Sequence, residues 1–307
     1  MQKYPQEAPL SHTRRDHPFA RFIVAAAAMA ACLTIAGCRV NAASAEGSIS
    51  TTIVEAKSLV LTNENGSVEI VKDPSVTGVQ VTAKIRCAAE SREVAEARVK
   101  VTNILVERGG EGRVSLKVCF PSRTPDAVRV QLGWSGYDDD GANVVIRAAS
   151  LDGIEVKTSN GSITSGAFSG KAKLETSNGS IRVDGHTGPV DLDASNGGVT
   201  AIGVGTPVVA ETSNGSVEVS LAANATGDVK IDTSNGLVQL QLPAAWQGTV
   251  RGNTSNGGVE ITLPTDAPNG SVVTRGGQAT TTIGDGTKAK ATIKTSNGRV
   301  NIRAANK

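Results

Sequence analysis

Aromatic side chains are scarce in this 307-residue chain: two Trp, two Tyr and four Phe. Beyond Cys38 only Phe120, Trp134, Tyr137, Phe168 and Trp246 remain, too few and too scattered for a platform on which bases or sugars stack. Histidine is scarcer, with His186 alone beyond residue 17, which removes any constellation built on two histidines. In Asp184-Gly185-His186-Thr187-Gly188 that residue reads as part of a turn. Net charge is also missing. Of 31 Lys/Arg, four precede Cys38, and of 29 Asp/Glu, two do, so 27 of each remain and nothing points to nucleic acid. Long apolar runs are absent too. The longest, Phe22–Ile35, falls short of the roughly 20 residues that span a bilayer.

That run has a different meaning. Lys3, Arg14, Arg15 and Arg21 lead into it, and it ends at Ile35-Ala36-Gly37-Cys38. A basic start, a short apolar centre and small residues before a cleavage point are the marks of an export signal. The tetrapeptide resembles the lipobox of bacterial lipoproteins. The resemblance implies lipidation of the Cys38 thiol and cleavage that leaves Cys38 as the new N-terminus. An ordinary cleaved signal with an incidental Cys38 is the alternative. Arg14-Arg15 does not complete a twin-arginine signal, because Asp16-His17-Pro18 follows where apolar residues belong. Arg39 is not the Asp that retains lipoproteins at the inner membrane, so the expected address is the outer membrane of an envelope that has one. Two further cysteines, Cys87 and Cys119, lie in extended-looking segments. In an oxidising compartment a disulfide between them is expected, with free thiols as the alternative.

A repeated tetrapeptide dominates the rest. Thr-Ser-Asn-Gly occurs at 158–161, 176–179, 212–215, 233–236, 254–257 and 295–298, with Ala194-Ser195-Asn196-Gly197 as a variant. The asparagines step by 18, 18, 18, 21, 21 and 41 residues. A degenerate copy, Thr274-Arg275-Gly276-Gly277, divides the last gap. A period near 20 residues signals a solenoid. After each glycine, aliphatic residues recur two and four places on (Ile181 and Val183, Val217 and Val219). Before each Thr they recur two and four places back (Leu174 and Ala172, Ile231 and Val229). This is strand alternation. Asn-Gly tolerates positive φ and suits a corner, and stacked coils would align the Asn amides as a ladder. The expected fold is all-β: a parallel β-solenoid of about eight coils, about 40 Å long at ~4.8 Å per coil, with an irregular N-terminal capping region. An antiparallel meander of hairpins is the alternative.

The expected division is a signal peptide at 1–37 and a lipidated tether at 38–57. A capping region at 58–157 follows, with a first coil at Asn63-Glu64-Asn65-Gly66 and a helix near Glu90–Ala97, and then the repeat solenoid at 158–307. Strands are expected at 78–88, 100–107, 113–120, 127–133 and 143–148. Repeated Ser-Asn-Gly with alternating aliphatics behind an export signal resembles a family of bacterial adhesin candidates of unknown function. That resemblance implies the fold and supplies no binding residues.

Two features invite a chemical reading. The residue before each Thr faces outward, and in four consecutive coils it is acidic: Glu175, Asp193, Glu211 and Asp232. These could form a cation-binding or polymer-facing stripe; a solvated face partly neutralised by Lys173, Lys230 and Arg251 is the plainer reading. The segment from Trp134 through Tyr137, Asp138, Asp139 and Asp140 to Gly141 sets two aromatics beside three carboxylates, but lacks the later ligands of a calcium loop. The functional expectation is a non-catalytic, lipid-anchored envelope protein whose solenoid surface serves adhesion, scaffolding or envelope-stress sensing. Its partners would be the membrane and an envelope polysaccharide or protein, with no cofactor, metal or nucleic acid. The alternative is a carbohydrate-active enzyme on the same fold, with Asp191, Asp193, Lys173 and Lys230 converging in a groove.

Overall fold

The alternation flanking each Thr-Ser-Asn-Gly is realised as a pair of short strands meeting at a corner. The computed structural model describes residues 43–121, 140–263, 271–284 and 288–305. The N-terminal part contains β1 (Ala43–Ile53), β2 (Ser58–Asn65), β3 (Val68–Lys72), β4 (Val79–Ala89), α1 (Arg92–Val101), β5 (Asn103–Arg108), β6 (Arg113–Cys119) and β7 (Gly141–Ala148). The repeats supply β8 (Gly153–Asn160), β9 (Ile163–Ser165), β10 (Lys171–Asn178), β11 (Ile181–Asp184), β12 (Val190–Asn196), β13 (Val199–Val204), β14 (Val208–Asn214) and β15 (Val217–Leu221). They continue with β16 (Val229–Asn235), β17 (Val238–Leu242), β18 (Gly248–Thr262), β19 (Ser271–Ile283), β20 (Lys290–Asn297) and β21 (Val300–Ala304).

Strands before the corner pair in parallel in the order β6, β2, β8, β10, β12, β14, β16, β20, β18. Strands after it follow the same course: β7, β3, β9, β11, β13, β15, β17, β21 and the end of β18. Pairing along the repeats is therefore parallel. Chain order and stacking order part company at both ends, however. The first corner, β2–β3, sits between β6–β7 and β8–β9, and the last, β20–β21, sits between β16–β17 and β18. The sequential stack expected from the spacing is corrected here. Thr274-Arg275-Gly276-Gly277 is not a stacked coil but part of β19, which runs antiparallel to β18. Gly276 and Gly277 bring no Asn amide to the corner; the C-terminal Asn297 does, and its coil takes the interior position. An antiparallel hairpin then lies at that end of the parallel stack.

Every residue of the tetrapeptide has a physical reason. The Thr side chain points inward, and in every copy but that of Thr158 its hydroxyl donates to the glycine carbonyl of the adjacent coil, as from Thr176 to Gly161 (2.9 Å), Thr212 to Gly197 (2.9 Å) and Thr254 to Gly298 (3.0 Å). The Ser lies outside. Each Asn Nδ2 donates to the Oδ1 of its neighbour, in the order Asn160 to Asn65 (2.7 Å), Asn178 to Asn160 (2.9 Å), Asn196 to Asn178 (3.1 Å) and Asn214 to Asn196 (3.0 Å). Asn235 to Asn214 (3.0 Å), Asn297 to Asn235 (2.9 Å) and Asn256 to Asn297 (2.8 Å) complete the ladder. The glycine is needed for closeness rather than for a left-handed turn. At Gly179 φ is 159°, almost fully extended. A Cβ there would lie 2.2 Å from the Gly161 oxygen, and one at Gly197 would lie 1.9 Å from the Gly179 oxygen.

The core is the sum of the inward positions. Leu174, Ile181, Val183, Leu192, Val199, Ile231, Leu240, Ile293 and Ile302 are all buried. Opposite the Asn corner a second column fills the loops: Phe168, His186, Val204, Ala225 and Trp246, each buried and each about one repeat beyond the last. His186 is thus a core residue as well as a turn residue.

The N-terminal region extends both sheets. β4 adds to β7, β1 to β4 and β5 to β6, all antiparallel. The helix begins at Arg92, later than expected, because Ser91 caps it by accepting from the Val94 N–H, and it runs on to Val101. The tether expected over 38–57 is corrected: Ala43–Ile53 is a strand. Its small residues let α1 lie close, and a Cβ at Gly47 would meet Val99 at 2.4 Å. The expected disulfide is also corrected. Cys87 and Cys119 are free thiols, the first buried with its Sγ 3.5 Å from Thr102 Oγ1, the second at the end of β6 opposite Asn103.

Arg98, on the buried face of α1, makes the one deeply placed ion pair among those described. Its guanidinium meets both oxygens of Asp140 (3.0 and 2.6 Å), the Pro121 carbonyl (3.1 Å) and the Ala88 carbonyl. One side chain therefore holds the residues on either side of 122–139.

Candidate functional site

Register places the acidic residues in one row. Glu175 pairs with Asp193, Asp193 with Glu211, and Glu211 with Asp232. The row ends on a lysine at each side: Lys157 beside Glu175 and Lys294 beside Asp232. Two residues upstream, Glu155, Lys173, Asp191, Val209, Lys230 and Thr292 form a second row on the same face. Strand spacing sets neighbours about 4.8 Å apart, so like charges in the row repel by ~1 kcal/mol even in water.

Lysines from both rows relieve much of this. Lys173 and Lys157 bind Glu175 (2.6 and 3.2 Å), and Lys230 binds Glu211. The Lys173 hydrogen bond is the main cause that lowers the Glu175 pKa, and the pKa values of Lys173 and Lys230 rise through their carboxylate partners, Glu175 and Glu211. Asp193 is different. Among the described residues it takes part in no ion pair, and its pKa is raised, first by partial burial and then by Glu175, Glu211 and Asp191. The four carboxylates lie along a sheet face and do not converge: no group of three or more His, Cys, Asp or Glu side chains among the described residues is placed to hold a metal. Asp191 and Asp193 sit on one strand, while Lys173 and Lys230 are engaged with glutamates.

The other sequence-marked residues fall elsewhere. His186 is sealed in the core with Nε2 2.6 Å from the Gly170 carbonyl oxygen. Trp246 is buried and donates its indole N–H to the Gly227 carbonyl at 3.0 Å. Asp140 belongs to the Arg98 ion pair, while Cys38, Trp134, Tyr137, Asp138 and Asp139 lie outside the described residues. Sequence reasoning missed the bracketing lysines, Lys157 and Lys294. Both precede a Thr-Ser-Asn-Gly, so the signal was present, but Lys294 joins the row only because its coil stacks out of order.

The Toastrack DUF4097 family model matches residues 98–303. The chain belongs to the Toastrack DUF4097 family. The kinship read from the Ser-Asn-Gly repeats therefore holds. Among solved structures similar to this Toastrack chain is a candidate cell adhesion protein from Clostridium sporogenes, 12% identical, covering 85% of this chain and 100% of that one, with a TM-score of 0.33. A candidate adhesin from Bacteroides fragilis is 9% identical over 85% of this chain and 97% of its own, with a TM-score of 0.40. Another, from Parabacteroides distasonis, is 10% identical with the same coverage and a TM-score of 0.30. No curated protein matches. No helix among the described residues of this Toastrack protein is long and apolar enough to cross a membrane.

Proposed function

We propose that the chain is a non-catalytic cell-envelope lipoprotein, anchored through Cys38, whose solenoid surface serves adhesion or scaffolding. The signal-like N-terminus and the tetrapeptide ending at Cys38 support the anchor. One observation supports the non-catalytic reading above others: the charged groups of the solenoid face stand in straight rows along the sheet, two of the four carboxylates paired with lysines, and do not converge. Such a face suits a long polymer or a protein surface better than the reaction of a single bond.

Intact-mass analysis of membrane-extracted protein beside a Cys38→Ala variant tests the anchor. A chain starting at Cys38 with acyl groups, lost in the variant, is the expected result. An unlipidated chain removes the anchor.

A carbohydrate-active role is the second reading, favoured by the raised pKa of Asp193 beside Asp191. Turnover of acidic polysaccharide that disappears in Asp193→Asn would establish it.

A further inference from the structure

Among the described residues four large apolar side chains stand exposed, and three of them gather on α1 and the strand that follows it: Val94 (46%), Val101 (60%) and Leu105 (44%). With exposed Ala97, Val94 and Val101 make a stripe at spacing 3, 4 and 7 on the face of α1 turned away from Ala95, Arg98 and Val99. Glu93 and Lys100 flank it. This is an unpartnered apolar helix face about 11 Å long, flanked by charge.

The chain itself indicates what covers it. Cys38 precedes Ala43, the first residue of β1, by five residues, at most ~18 Å of extended backbone. Ala43 pairs with Ala89, two residues before the Ser91 cap of α1, and α1 lies directly over Gly47. An acylated Cys38 would therefore bring the bilayer within reach of this helix.

We propose that the exposed face of α1, with Val94, Ala97 and Val101, rests in the lipid headgroup layer of the membrane that holds Cys38. The proposal rests on the lipoprotein reading. A short amphipathic helix binds such an interface weakly alone, and an adjacent acyl anchor makes the contact local and persistent. The long axis of the stack is then set relative to the membrane by β1 and α1, rather than swinging on a free tether.

The test uses full-length, cell-processed Val101→Trp, extracted and reconstituted into phosphatidylethanolamine–phosphatidylglycerol vesicles with and without brominated acyl chains. A Glu218→Trp protein on the far face is the control, and the mass at Cys38 is recorded for each. With acylated Cys38, bromolipid should remove about half of the emission added by the indole at position 101, because bromine quenches at short range and an indole at the headgroup–acyl boundary lies against the chains. Emission added by the control indole at position 218 should be unchanged. Val94→Asp in the Val101→Trp background should restore the emission. Acylated protein in which position 101 is no more quenched than position 218 overturns the proposal and leaves the anchor standing. Blue-shifted but unquenched emission from position 101 overturns it in favour of a second protein copy on the stripe. An unacylated Cys38 overturns both readings.

Discussion

His186 Nε2 lies 2.6 Å from the carbonyl oxygen of Gly170, one coil away. Trp246 repeats the contact three coils further on, with its indole N–H on Gly227. Both rings plug the loop corner of the solenoid and tie it to the adjacent coil. Burial holds the His186 pKa below its ordinary value of 6.5, so the ring is neutral at pH 7 and Nε2 carries the proton that Gly170 accepts.

Near neutrality stability should therefore depend on pH through this side chain. The folded pKa is depressed, so the unfolded chain binds the extra proton first. The contribution of His186 is complete above about pH 6.5 and is lost as pH falls towards the folded pKa. No other histidine follows residue 17. Thermal unfolding between pH 7.5 and 5 should show a falling Tm, and His186→Phe, which copies Phe168 in the adjacent coil, should flatten that slope.

The repeat carries its own repairs. Ala194 occupies a Thr position and offers Gly179 no hydroxyl, while Ser165 occupies an aliphatic position with a buried Oγ that has no partner. Ala194→Thr should stabilise by about 1 kcal/mol through one added hydrogen bond. Ser165→Val, copying Val183, should stabilise by ~1–2 kcal/mol by removing an unsatisfied group and filling core. Denaturant unfolding with an unchanged m-value checks both. Loss of stability in either would mean the coils are not equivalent.

How much of this was legible beforehand divides along physical lines. Local rules gave the strands, the inward positions such as Leu174 and Val183, and the Asn ladder, because alternation and identical spacing survive in every coil. What the stack does at its ends was not legible. Nothing in 295–298 says that Asn297 bonds Asn235 rather than continuing past β19. That choice is a competition between long-range pairings, decided by which segment brings an amide. Small residues in β1 read as linker because their purpose is to make room for α1. The outward row of Glu175, Asp193, Glu211 and Asp232 was legible, since outward positions follow directly from alternation. Its lysine ends were not, since Lys294 arrives from another part of the chain.

Asn196 lies inside the ladder, donating to Asn178 and accepting from Asn214. Asn196→Ala should cost about 2 kcal/mol, two side-chain hydrogen bonds. Gly197→Ala should cost more, since its Cβ would lie 1.9 Å from a carbonyl oxygen and adjacent coils would have to separate. Chemical denaturation ranks the two, and the reverse order would place the corner's stability in the amides rather than in the close stacking.

Arg98 and Asp140 form a partly dry pair, with side-chain exposures of 6% and 14%. Arg98→Ala removes the guanidinium from Asp140, which keeps the Ala88 N–H, and should cost ~3 kcal/mol. It should also release the residues flanking 122–139, so that limited proteolysis cuts there faster than in the parent. Unchanged cleavage would show that the ion pair does not govern that segment.

Partial burial, followed by the nearby Glu175, Glu211 and Asp191, raises the folded pKa of Asp193. The sign is opposite to that of His186: its charge weakens the fold above the raised pKa, and the cost is relieved as pH falls through it. Asp193→Asn should raise stability at pH 7 by less than ~1 kcal/mol, given how open the face is to solvent. Calcium should shift Tm in neither protein; a shift present in the parent and lost in the variant would make the row a cation site.

Because β2–β3 and β20–β21 each have neighbours on both sides, neither the first nor the last Asn-bearing coil of the chain lies at an end of the stack. The solenoid is therefore closed to growth by simple extension. A duplicated repeat appended after Ala304 would find the place beside β20–β21 already taken by β18, whereas one inserted between Asn160 and Asn235 would merely lengthen the middle. The number of coils is set by two clasps made from distant parts of the chain. Lineages that lengthen this protein should do so from within.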